Sequence, residues 1–246
     1  MITNEIELKM PGGVMDTFII HPDENGPFPI ILFLMDAPGK REELRDMASR
    51  IAASGYYVML PNLYYRKTRD FIFEPTSAGR AKMLEQMDSL TNDLAVQDCL
   101  ELIKYGDSDP NTNNGDVGCV GYCMSGPFAF SAASAIPKRI KASASIHGVK
   151  LLTGKDDSPH LNASLIKAEM YFAMAKKDKW ADPKMVDELD EHLKEIGINY
   201  RIEWYAGTDH GFVFPNRGPL YDKASAEKHY QRLLSLFERN LKRITR

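Results

Sequence analysis

Cysteine is scarce in this sequence: three residues, Cys99, Cys119 and Cys123, in a chain of 246. An odd, low count excludes a disulfide framework and fits a reducing compartment, where free thiols persist. Long apolar runs are absent too. The best one, Pro29–Met35, is far shorter than the ~20 residues of a membrane span, so no membrane association is expected. The opening segment MITNEIELKM carries acidic residues and no apolar core, unlike a signal peptide. Positive charge is not in excess: 31 Lys+Arg face 34 Asp+Glu, for a net charge of −3. The densest basic cluster, Arg239 to Arg246, alternates with apolar residues and reads as the polar face of a last helix, so no nucleic-acid partner is expected. Metal-ligand spacings are missing, with no His-x-x-x-His and no Cys-x-x-Cys, so neither a metal nor another cofactor is expected. The cysteine usage and the missing apolar runs point to a cytoplasmic protein; a monomer and a small homo-oligomer are both compatible with the sequence.

What is present is an ordinary globular composition, 43% hydrophobic and 26% charged. A chain of this length can bury a sizeable core without disulfide or metal staples. No repeat, low-complexity tract or linker divides it, so residues 1–246 are read as a single domain. Strand-like and helix-like segments alternate. Glu5–Met10 and Met15–His21 form an opening strand pair through Pro11-Gly12-Gly13. Further strands are expected at Pro29–Met35, Tyr56–Pro61, Val117–Tyr122, Ile140–Ile146, Ala168–Ala175 and Asn199–Tyr205. Helices are expected at Lys40–Ser54, Ser77–Tyr105 (with a break near Thr91-Asn92), Ser125–Ala135, Pro183–Ile196 and Tyr221–Leu241. Apolar strands alternating with amphipathic helices argue an α/β fold, with a mostly parallel central sheet and helices on both faces. Ligands bind such sheets beyond the carboxyl ends of the strands.

Three of those ends carry reactive side chains. The run Val117-Gly118-Cys119-Val120-Gly121-Tyr122-Cys123-Met124-Ser125-Gly126 is a strand that turns directly into a helix. A nucleophile on so tight a turn needs small neighbours two residues before and two after. Gly121 fills the first place and Ser125 the second. Asp178 follows the strand Met170–Ala175, and His210 follows Trp204-Tyr205 in the setting Gly207-Thr208-Asp209-His210-Gly211-Phe212. A thiol needs a base, an imidazole has the right range, and a carboxylate orients the imidazole. The order nucleophile, acid, histidine is that of α/β-hydrolases. Asp209 and Asp182 are competing acids, but Asp209 adjoins His210 in sequence and Asp182 suits a helix cap before Pro183. Cys99, inside a helix, and Cys119, inside a strand, read as buried structural thiols. His21, His160, His192 and His229 have no motif around them. His147, at the end of the strand Ile140–Ile146, is expected to line the pocket, either as a substrate contact or as a structural residue.

The segment Gly121-Tyr122-Cys123-Met124-Ser125-Gly126 resembles the nucleophile elbow of the dienelactone hydrolase family, whose members use cysteine where most α/β-hydrolases use serine. The resemblance extends over nearly the whole chain. It implies an α/β-hydrolase fold and a cysteine-dependent hydrolase of a lactone or small ester, with Cys123, His210 and Asp178 as its triad and no cofactor. Backbone N–H groups of Met124 and Ala37 would form the oxyanion hole. Asp36 stands where the family carries a glutamate implicated in activating the cysteine; a carboxylate beside the thiol would oppose thiolate formation. Alternatively, Asp36 starts a turn or caps a helix. The family binds its lactone's carboxylate with arginines, and Arg80 and Arg217 are the candidates here. Tyr64, after a strand end, would wall the pocket. Other readings of the same residues are a thioesterase, a peptidase, or a non-catalytic binding protein on this scaffold.

Overall fold

Runs of apolar residues pair into one eight-stranded sheet in the computed structural model, which describes residues 1–242. The strands are β1 (Ile2–Met10), β2 (Gly13–His21), β3 (Ile30–Leu34), β4 (Tyr57–Pro61), β5 (Val117–Tyr122), β6 (Ile140–Ile146), β7 (Glu169–Ala175) and β8 (Tyr200–Tyr205). Their order is β1-β2-β4-β3-β5-β6-β7-β8. The opening hairpin β1–β2 and the β2–β4 pair are antiparallel, and every other pairing is parallel. This is the mostly parallel α/β-hydrolase sheet expected from the sequence. Strands β3, β4 and β5 are buried at every residue, as required when both faces of a sheet are covered.

The helices are α1 (Glu42–Ala52), α2 (Ser77–Asp88), α3 (Asn92–Ser108), α4 (Gly126–Ala135), α5 (Pro183–Ile196) and α6 (Lys223–Leu241). Side chains alternate across the sheet, so β5 sorts the layers. A Cβ on Gly118 would lie 2.9 Å from both Phe237 and Leu241 of α6, whereas the next residue, Cys119, points to Cys99 on α3. Both of these thiols are buried, as read from the sequence. The helical stretch after Ser77 does break: α2 ends at Asp88, and Thr91 caps α3 by accepting a hydrogen bond from Leu94 N at 3.2 Å. Asp182 caps α5 through Lys184 N at 3.0 Å, and Gly197 ends that helix at φ +70.

Several boundaries differ from the sequence reading. Strand β1 starts at Ile2 rather than Glu5 because it pairs with β2 along its whole length. Helix α3 runs on to Ser108. The residues after β5 make a tight 3-10 turn, Cys123–Ser125, before α4 begins at Gly126. Two short 3-10 segments, Pro159–Leu165 and Pro215–Leu220, were not assigned as helix. Of the basic cluster, Arg239 sits in the last turn of α6 and ion-pairs with Glu169 of β7; residues 243–246 lie outside the described residues. Among those described, no helix is long and apolar enough to cross a membrane.

Candidate active site

The parallel strands end on one edge of the sheet, and the segments leaving β3, β5, β6, β7 and β8 carry Asp36, Cys123, His147, Asp178 and His210 respectively. Cys123 has φ +55, a left-handed conformation that costs a non-glycine residue about 1 kcal/mol or more. The surrounding backbone holds it there. A Cβ on Gly121 would fall 1.9 Å from the Ser125 carbonyl oxygen, and one on Gly126 would fall 2.5 Å from Gly148 Cα, so neither position admits a side chain. Ser125 needs no such freedom: its φ is −90. Its fully buried hydroxyl donates to the Met35 carbonyl at 2.5 Å, tying the turn to the end of β3. Cys123 is half-buried, unlike the other two thiols.

His210 Nδ1 meets Asp178 Oδ2 at 2.8 Å. The second carboxylate oxygen, Oδ1, accepts from Trp180 N at 2.8 Å and Ala181 N at 3.2 Å. These backbone bonds fix the carboxylate plane, and the engaged Nδ1 leaves Nε2 for the thiol. Burial works against a charge on the imidazole. Hydrogen bonds with Asp178 and Cys123, and the charges of those two groups, outweigh it and raise the His210 pKa from 6.5 to about 9. Asp182 is occupied in capping α5, and the hydrogen bond from His210 goes to Asp178 rather than to its neighbour Asp209. The sequence reading missed Trp180. Its ring is 60% exposed and lies 6.5 Å from that of His210. A tryptophan two residues after Asp178, in a charged loop, was the available signal.

The segment after β3 is held from both sides. Ala37 is buried, and its N–H has no partner among the described residues. Met124 is the second residue of the 3-10 turn, where an N–H has no acceptor within the helix. Tyr64 joins the two positions. Its hydroxyl donates to the Ala37 carbonyl at 2.7 Å and approaches Met124 Sδ at 3.2 Å. Tyr64 is buried and therefore braces this segment rather than offering an exposed wall.

Asp36 is also fully buried, but it is not an isolated carboxylate beside a thiol. Arg41 binds both of its oxygens, and Arg217 Nη2 reaches Oδ2 at 3.2 Å. Arg41 in turn pairs with Glu43, whose Oε1 accepts from Asn216 N at 2.7 Å. The chain Glu43–Arg41–Asp36–Arg217 thus links the segment after β3 to the one after His210. Two guanidiniums compensate the Asp36 charge, which removes the reason for it to oppose a thiolate. Arg41 was not singled out in the sequence; its five-residue separation from Asp36 spans a turn, not a helix face. The turn itself was foreseen, and Gly39 N donates to Asp36 O at 3.0 Å.

Two other expectations are corrected. His147 does not line an open pocket; it is fully buried, with its ring centroid 4.7 Å from that of His210. Arg80 is exposed on α2, with no ion pair among the described residues, and does not border the cleft beside Met124. That cleft, of about 90 Å³, has Met87, Leu90, Met124 and Phe128 as apolar walls and Lys150, Lys155 and Asp157 at its polar side. No cluster of three or more His, Cys, Asp or Glu suited to a metal ion occurs among the described residues.

A tight turn at the end of a central parallel strand, facing an Asp-bonded histidine contributed by later strand ends, is the arrangement of the α/β-hydrolase fold, and that is the class of protein this chain falls in. Within that class the chain belongs to the dienelactone hydrolase family, whose model matches residues 15–241. It is 25% identical over 228 residues to a Synechocystis protein with the provisional name carboxymethylenebutenolidase, covering 92% of each chain. It is 24% identical over 239 residues to the carboxymethylenebutenolidase of Rhodococcus opacus, covering 95% of this chain and 90% of the relative. A crystal structure of a Klebsiella pneumoniae protein, provisionally named a dienelactone hydrolase, superposes with a TM-score of 0.86 at 21% identity, over 96% of this chain and 98% of the other.

Proposed function

We propose that this protein hydrolyses a lactone or small carboxylic ester through a covalent thioester on Cys123, with His210 as the proton carrier and Asp178 as its orienting acid. The observation that carries this reading is the 2.8 Å contact between His210 Nδ1 and Asp178 Oδ2, opposite a cysteine held in a left-handed turn. The thiol's proton rests on His210 Nε2, and the thiolate sulfur bonds to the carbonyl carbon. The oxygen that gains the electron pair is received by the N–H groups of Ala37 and Met124, which are worth most at the tetrahedral stage. Collapse expels the alkoxide, which takes the proton from His210. Water then attacks the thioester, again losing its proton to His210, and releases the acid and the free thiol. No step needs a cofactor.

Against the effect of burial, the hydrogen bond with Asp178 raises the affinity of His210 for a proton, and the carboxylate stabilises the resulting imidazolium. The cleft beside Met124 suits a small acyl group. The exposed ring of Trp180 stands next to His210, where an alcohol or lactone ring leaves. The test is hydrolysis of a dienelactone and of a short-chain activated ester by the wild type and by Cys123→Ala. The expected result is turnover of at least one substrate by the wild type and its near-complete loss in the variant. A Cys123→Ala protein as active as the wild type would overturn the reading.

A further inference from the structure

The histidine at the end of β6 is built into the site in a way that burial alone does not explain. His147 N donates to the Ala173 carbonyl at 2.7 Å, and the residue sits at φ +39, so its backbone is pinned against β7 in a strained conformation. Its ring is caged by aromatics: Phe214 at 5.4 Å, Phe212 at 6.0 Å and Tyr122 at 6.2 Å between centroids. That cage would suit a phenylalanine. Instead it holds an imidazole whose two nitrogens are both buried and without a partner among the described residues. Unpaired buried polar atoms are destabilising, so such an atom in a native core calls for a reason. The nearest ring is that of His210, 4.7 Å away and inclined at 66°.

We propose that His147 is a positioning residue for the reaction: its ring packs edge-to-face on His210, holds that imidazole in line between Asp178 and Cys123, and favours the imidazolium formed when the thiol gives up its proton. The inference rests on the triad reading above. An edge-to-face neighbour restricts rotation of the His210 ring about its bonds, which a single hydrogen bond to Asp178 leaves free to tilt. A neutral ring, unlike a second cation, also leaves the imidazolium formed against it unopposed. His147 can act in this way only while uncharged. Burial, reinforced by the charges of His210, Arg217 and His229, holds its pKa well below the ordinary value. Those three groups and the Tyr122 ring are the ionisable side chains that face it from the C-terminal segment, α6 and β5.

The test compares His147→Leu and His147→Phe with the wild type, using steady-state hydrolysis of the activated ester and the pH dependence of alkylation by iodoacetamide. Cys99 and Cys119 are buried, so alkylation of the folded protein reports Cys123. His147→Leu should lower kcat by about tenfold while KM stays within about twofold, the signature of an interaction made as charge develops. Its alkylation midpoint should move to higher pH. His147→Phe keeps the aromatic contact and should fall between Leu and wild type on both readouts, which purely structural damage would not produce. Melting curves establish that each variant is folded; if the leucine variant is not, the phenylalanine variant must still show an upward alkylation midpoint. Folded variants with the wild-type kcat and alkylation profile overturn the inference while leaving the triad intact. Activity that survives Cys123→Ala removes the triad, and with it this role.

Discussion

The hydroxyl of Ser125 donates to the main-chain carbonyl of Met35, so the nucleophile turn is latched to the segment that carries Ala37. The two halves of the proposed oxyanion hole come from different strands, and this bond holds them at a fixed separation. It also accounts for the serine. The residue two places after Cys123 has φ −90, so a small side chain fits without a glycine's freedom.

Removing that latch should affect both stability and rate. Ser125→Ala leaves a buried carbonyl without its partner, a loss of about 1–3 kcal/mol. Urea unfolding should show the loss, and kcat for ester hydrolysis should fall severalfold with less change in KM. A variant of unchanged kcat would mean that the turn holds its own geometry.

Asp36 should matter more to stability than either of its arginines taken alone. Asp36→Asn removes a fully buried charge that two guanidiniums hold, leaving Arg41 only its pair with Glu43; disrupting a buried pair in this way costs on the order of 2–3 kcal/mol. Arg217→Met should cost about 1 kcal/mol or less, because that side chain is 31% exposed and Arg41 still holds the carboxylate. Denaturant midpoints rank the two variants. The opposite order would show that Arg41 does not bind Asp36 in solution.

Stability should fall on the alkaline side through His210. Its folded pKa, about 9, lies above the ordinary 6.5, so folding takes up a proton between those values. The stabilisation is complete below about pH 6.5 and disappears as pH rises through 9, an effect on the order of 1–3 kcal/mol. Urea midpoints measured from pH 6 to pH 10 should therefore drop more in the wild type than in His210→Gln. Parallel curves would show that Asp178 and Cys123 do not hold the proton.

Much of this molecule is written in local pattern. The fully apolar runs at Ile30–Leu34 and Val117–Tyr122 read as central strands because helices cover both of their faces. Thr91 and Asp182 announced helix starts through their capping side chains. Cys123 stood out because a glycine two residues before it and a small residue two after match the spacing of a tight strand-to-helix turn. Asp178 and His210 were recognisable from their places just past apolar strands. The two short helices at Pro159–Leu165 and Pro215–Leu220 were not legible, since a few residues of 3-10 helix carry no periodicity.

The sequence by itself determined the fold class, and it placed Cys123, Asp178 and His210, the residues of the proposed triad, at strand ends, because each depends on residue type and spacing within a short window. Only the tertiary structure decided which charges meet. Arg41 and Arg217 are separated by most of the chain yet bind one carboxylate, His147 packs on His210 from a different strand, and Tyr64 bridges Ala37 and Met124. Those contacts depend on where strand ends converge in space, and no local pattern encodes that convergence. The electrostatics of the site, the compensated Asp36 and the elevated His210, follow from it.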